Sequence, residues 1–133
     1  MPHILLIDDD PLFRSMLCAT LEQMGHTVSE AANGSEGLAA YARASADLVL
    51  TDLVMPEKEG VETIRELCQK WPGVRIIAMS GGGRASAEDY LKIAKFMGAA
   101  QLLAKPFSKD ELAAAIGAVL GPGMEGERGK GEG

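Results

Sequence analysis

The chain has 133 residues, with 19 acidic side chains against 13 basic ones and a net charge of −6. That length suits one domain, and 47% hydrophobic residues supply a real core, which excludes disorder as the main state. The acidic balance excludes a broad nucleic-acid footprint, which needs a basic face to displace phosphate counterions. In chain order, the first apolar run is Ile4–Ile7, stopped at once by Asp8, Asp9 and Asp10. It is too short for a signal peptide or a membrane span, so the expected setting is the cytoplasm without membrane insertion. Its continuous apolarity predicts a strand buried on both faces. Phe13, Leu17, Leu21 and Met24 then recur at three- and four-residue steps, a helical stripe that Gly25 ends, with Asp10 before Pro11 as its cap.

Thr27–Glu30 is the second strand, and Asn33-Gly34 marks a loop before the next helical segment. Leu48–Thr51, again continuously apolar, is the third strand and runs into Asp52. Beyond a loop at Pro56, the stripe Val61, Ile64, Cys68 and Trp71 forms a helix that Pro72-Gly73 stops. The fourth strand, Val74–Met79, leads to Ser80 and three glycines. Tyr90, Ile93, Ala94 and Met97 share one face of a further helix, with Phe96 off that face. Gln101–Ala104 is the fifth strand and leads to Lys105-Pro106. Ser108 is the candidate N-cap of the last helix, whose inward residues are Leu112, Ile116 and Val119. After Leu120, six of the last thirteen residues are glycine and Met124 is the one large apolar side chain, so 121–133 reads as a flexible tail. Cys18 and Cys68 fall in helical segments expected on opposite faces of the sheet and read as buried free thiols. His3 and His26 have no Cys or His at ligand spacing and read as structural.

Five strands alternating with five helices predict an α/β fold, a doubly wound parallel sheet covered on both faces. In such sheets the site lies at the carboxyl ends of the strands. Those ends carry Asp8, Asp9 and Asp10 after the first strand and Asp52 after the third, with Ser80 after the fourth and Lys105 after the fifth. The second strand contributes nothing comparable. Each residue alone has an ordinary structural explanation. Clustered carboxylates on one edge, however, repel and call for a compensating cation. The chemistry that suits them is a hard divalent metal such as Mg2+, held by two carboxylates and a backbone carbonyl, with a phosphoryl group alongside. One carboxylate can then attack phosphorus while the lysine and the hydroxyl neutralise the transferring oxygens.

Four segments together resemble the signatures of bacterial response-regulator receiver domains: Ile4-Leu-Leu-Ile-Asp-Asp-Asp-Pro11, Leu50-Thr-Asp-Leu-Val-Met-Pro56, Ile77-Ala-Met-Ser80 and Leu103-Ala-Lys-Pro-Phe107. The resemblance covers residues 3 to about 120 and implies a flavodoxin-like strand order 2-1-3-4-5. It implies that Asp52 accepts a phosphoryl group from a histidine kinase or phosphotransfer protein. By the same match Asp9, Asp52 and the Val54 carbonyl ligate Mg2+, with Asp8 acting through water. Ser80 bonds the phosphoryl group and moves with it, and Lys105 pairs with a phosphoryl oxygen beside a cis peptide at Pro106. Residues 1–120 are then a receiver and 121–133 carry no output domain. Such a chain is not an enzyme beyond its own phosphorylation and dephosphorylation. It signals to a separate effector protein through a changed surface, without touching nucleic acid directly. Of the charge of −6, the tail carries −1, and three of the remaining five negative charges belong to Asp8, Asp9 and Asp52.

Three positions depart from the family pattern. Leu102 stands where many members carry a switch aromatic, so that aromatic switch cannot operate. Glu59-Gly60 replaces the usual Asp-Gly at a helix start, and Gly81-Gly82-Gly83-Arg84 lengthens the loop after the fourth strand into a candidate hinge. The competing enzymatic reading is a phosphatase of the haloacid-dehalogenase type, with Asp8 as nucleophile and Asp10 as acid. It lacks that family's later acidic pair, since only Asp110-Glu111 follows Lys105, inside the last helix.

Overall fold

The computed structural model describes residues 2–53, 59–81 and 98–121. Five strands, β1 (His3–Ile7), β2 (Thr27–Ala31), β3 (Leu48–Asp52), β4 (Ile76–Gly81) and β5 (Gln101–Lys105), form one sheet. All neighbours are parallel and the order is β2-β1-β3-β4-β5. Among the described residues there are four helices, α1 (Pro11–Gln23), α2 (Gly34–Arg43), α3 (Glu59–Lys70) and α4 (Lys109–Leu120). The parallel sheet and its order are as expected. The fifth expected helix, with Tyr90, Ile93, Ala94, Phe96 and Met97, lies outside the described residues. So do Val54, the loop from Gly82 to Arg84 and the tail beyond Gly121.

The helices begin where polar side chains can take their unpaired N–H groups. Asp10 accepts from the N–H groups of Leu12 and Phe13 at 3.1 and 3.2 Å, with Pro11 in the first position. The Asn33 side chain accepts from the Glu36 N–H, so Asn33-Gly34 opens α2 rather than forming a loop of its own. Ser108 and Glu111 bond each other's backbone N–H reciprocally at the start of α4. β4 starts at Ile76, two residues later than expected, because the Val74 N–H closes a turn onto the Trp71 carbonyl at 2.9 Å.

The core has two halves, one on each face of the sheet. Ile4, Leu6, Leu48, Leu50, Ile77, Met79 and Leu103 meet Leu17 and Leu21 of α1 and Leu112, Ile116 and Leu120 of α4. The alternate residues Leu5, Ile7, Val49, Ile76 and Ala78 meet Tyr41 of α2 and Ile64 and Leu67 of α3. Cys18 packs on the first half and Cys68 on the second, both as free thiols that are half-buried rather than fully buried. α2 rests so closely on β1 that a β-carbon at Gly37 would collide with the Ile7 side chain.

Candidate functional site

Strand register gathers the polar residues at one edge. Ile7 pairs with Ala31 on one side and Thr51 on the other, so Asp8 leaves the sheet beside Asp52, the last residue of β3. Gly81 pairs with Lys105, the last residue of β5, and Ser80 pairs with Ala104. Period-two alternation puts Asp8, Asp52 and Lys105 on the face of Leu6, Leu50 and Leu103, which α1 and α4 cover. Ser80 follows Ala78 on the opposite alternation.

Asp8 is fully buried, and its N–H and both carboxylate oxygens are bonded. Its N–H donates to the Ala31 carbonyl at 3.1 Å, Oδ1 accepts the Asp10 N–H at 2.9 Å, and Oδ2 lies 3.0 Å from Lys105 Nζ. The Asp52 Oδ2 is 3.5 Å from the same ammonium, and Asp52 is also buried. Asp9 is exposed, yet one carboxylate oxygen from each of Asp8, Asp9 and Asp52 lies within 4.8 Å of the others. Three carboxylate oxygens this close repel one another, and all are hard donors, so the set fits Mg2+. The Val54 carbonyl expected to complete it lies outside the described residues. The Lys105-Pro106 peptide is cis.

Ser80 is buried, but among the described residues its hydroxyl is not bonded to Asp8, Asp52 or Lys105. Leu102 is half-buried and packs with the α2/α3 half of the core.

Two contributions were not anticipated from the sequence. Arg14 donates from Nη1 to the Asp8 carbonyl at 2.6 Å and from Nε to Glu30 Oε1 at 3.0 Å. The second strand therefore does supply the site, through Glu30 near its end. The Phe13 ring lies beneath Lys105, with Nζ 4.1 Å from the ring centroid, and Phe107 meets that ring edge-on at 6.1 Å and 87°. An Arg one turn after a capping Asp is a usable signal, whereas nothing in the spacing joins Phe13 to Lys105. Beside this group the Cys18 thiol is pushed up to about 11, first by burial and then by the Glu30 and Glu22 carboxylates.

A family profile described as the response regulator receiver domain matches residues 4–117. The chemotaxis protein CheY of Halobacterium salinarum is 35% identical over 118 residues, covering 89% of this chain and 96% of that protein. The transcriptional regulatory protein GlrR of Escherichia coli is 36% identical over 114 residues, but the match spans only 25% of its length. Among solved structures, the chemotaxis protein CheY4 of Vibrio cholerae superposes with a TM-score of 0.81 at 30% identity, over 90% of this chain and 99% of that one.

Proposed function

The chain belongs to the response regulator receiver family, and from that premise we propose that Asp52 is its phosphoryl acceptor in a phosphorylation-driven switch. Receiver domains are signalling proteins that accept a phosphoryl group on an aspartate. The observation that carries the assignment is the unequal hold of Lys105 on two buried carboxylates. Asp8 is fixed by the ammonium at 3.0 Å and by a backbone N–H, while Asp52 meets the ammonium at 3.5 Å. With both of its oxygens engaged, Asp8 serves as a charge-placing group, and Asp52, at the end of β3 where the matching motif sets the acceptor, is the carboxylate that attacks.

In the transfer, an Asp52 oxygen attacks the phosphorus of a phosphohistidine on a kinase or phosphotransfer protein. The P–N bond breaks, a P–O bond forms, and the imidazole leaves with the electron pair. Lys105 swings its N–H groups onto a phosphoryl oxygen, and the Ser80 hydroxyl turns toward another. Asp8, Asp9 and Asp52, with the Val54 carbonyl, are the residues that would hold Mg2+. When bound, the ion would neutralise charge on the transferring phosphoryl oxygens. Water attack on the acyl phosphate returns the carboxylate and releases phosphate, which is the extent of the chain's own chemistry on this reading.

On this reading residues 1–120 are the receiver, in keeping with the family match over residues 4–117. The switch acts in the cytoplasm on a separate effector protein, by direct binding or by passing the phosphoryl group onward. Among the described residues no helix is long and apolar enough to cross a membrane. The phosphatase reading is left without support: both Asp8 oxygens are engaged, by the Asp10 N–H and by Lys105, which suits an anchor rather than a nucleophile.

The test is incubation with Mg2+ and acetyl phosphate, then borohydride trapping and mass spectrometry to locate the acyl phosphate. Label falls on Asp52 and disappears in Asp52→Asn. Label on Asp8 with turnover of phosphomonoesters would overturn the assignment.

A further inference from the structure

We propose that Phe13 is a positioning residue for Lys105, its ring face holding the ammonium at the acceptor carboxylate so that the cation is in place before the phosphoryl group arrives. The proposal rests on the assignment of Asp52 and Lys105 above. Lysine has a long, flexible stem, and the Lys105 side chain keeps 19% exposure, enough for it to swing toward water. On one side Nζ has the oxygens of Asp8 and Asp52 at 3.0 and 3.5 Å, and it stands over the Phe13 ring at 4.1 Å. The ring is itself fixed. Phe13 lies in the first turn of α1, its own N–H bonded to the Asp10 cap, and Phe107, two residues beyond Lys105, packs edge-on against it. The end of β5 and the two residues beyond it thus supply both the ammonium and the ring that steadies its platform.

The two kinds of contact respond differently as the site is used. The hold of Asp8 and Asp52 on the ammonium weakens as a divalent cation compensates their charge, or as an acyl-phosphate bond takes up an Asp52 oxygen. The attraction of the ring quadrupole does not depend on those charges. It also takes no directed hydrogen bond from the ammonium, whose N–H groups stay available for phosphoryl oxygens. An aliphatic side chain would fill the same place against the α1/α4 half of the core without providing that attraction.

The experiment compares Phe13→Leu and Phe13→Tyr with the unaltered chain, following label from acetyl phosphate by mass spectrometry in Mg2+, after thermal melts establish that both fold. Phe13→Leu should slow phosphorylation about fivefold, the loss of one partly desolvated cation–π contact, and Phe13→Tyr should recover most of the rate. By NMR, the ε-methylene protons of Lys105 in the unaltered Mg2+-free protein should lie upfield, displaced by the ring current. That displacement needs no variant to fold. Unshifted ε protons, an unchanged rate in folded Phe13→Leu, or a Tyr variant as slow as Leu would each overturn the proposal. Asp52→Asn runs alongside. If it still takes label, the acceptor assignment falls; if it is silent while Phe13→Leu keeps full rate, only the role of Phe13 falls.

Discussion

The two edges of the sheet use aspartate in opposite ways. At the amino edge, Asp47 precedes β3 and closes a reciprocal pair with β1. Its Oδ2 accepts the His3 N–H at 2.8 Å, and its own N–H donates to the His3 carbonyl at 2.8 Å. His3 Nε2 in turn bonds Ser29 Oγ at 2.8 Å, which ties β1 to β2. At the carboxyl edge, one oxygen from each of Asp8, Asp9 and Asp52 lies within 4.8 Å of the others, Lys105 reaches Asp8 and Asp52, and Arg14 is committed to Glu30 and to a backbone carbonyl. A carboxylate whose bonds are closed by its neighbours stabilises the fold. A set of carboxylates crowded together costs stability through mutual repulsion and gains from a cation that binds it.

The sharpest way to break this contrast is to remove the cation. In Lys105→Met the buried Asp8 carboxylate loses its ion pair, and a buried charge left without its partner is strongly destabilising. Because Lys105 is partly exposed, the expected loss is about 2–3 kcal/mol in EDTA, at the low end for such pairs. Saturating Mg2+ should stabilise this variant more than the unaltered protein and narrow the gap between them. Urea unfolding with and without Mg2+ reads both numbers, and an undiminished gap in Mg2+ would sever the link between crowded charge and metal.

Smaller changes of opposite sign should follow from single acids at the two edges. Asp9→Asn removes one repelling carboxylate and should raise stability in EDTA by about 1 kcal/mol while weakening Mg2+ binding. Asp47→Ala opens the pair with His3 and should lower stability by about 1 kcal/mol, leaving Mg2+ affinity unchanged. Mg2+ titration beside the same unfolding curves separates them. Equal signs at both edges would erase the distinction.

What was legible in the sequence follows the same division. The strands and the acidic edge could be read because continuous apolar runs and their terminal residues are local signals, whereas the strand order came only with the family resemblance of the four motifs. Asp8, Asp9, Asp52 and Lys105 do meet as the four motifs imply. The contributions of Arg14, Glu30 and Phe13 could not be read in this way. They depend on how α1 lies across the sheet, which brings an arginine to β2 and a ring under a lysine from β5. Helical stripes showed which way α3 and α4 face but missed Leu67 and Leu120, both in the core. Counting every third or fourth residue follows a seam narrower than the face that is buried.

The smallest expected effect tests how far the field of the carboxyl edge reaches. Cys18 lies on α1, and its thiol is raised from 9.0 to about 11, by burial first and then by Glu30 and Glu22. A raised thiol pKa means the folded state holds the proton more tightly. The resulting stabilisation is complete below pH 9 and fades as pH rises through about 11. Glu30→Gln removes the carboxylate part and leaves burial in place, so the pKa should fall only part of the way and alkylation at pH 8 should quicken a few-fold. The same change frees the guanidinium of Arg14, whose remaining bond is to the Asp8 carbonyl. If the end of β2 belongs to the carboxyl-edge site, alkylation should quicken and Mg2+ affinity should also shift. A faster thiol with unchanged Mg2+ affinity would confine the role of Glu30 to its contacts with α1, and the site would end at Asp8.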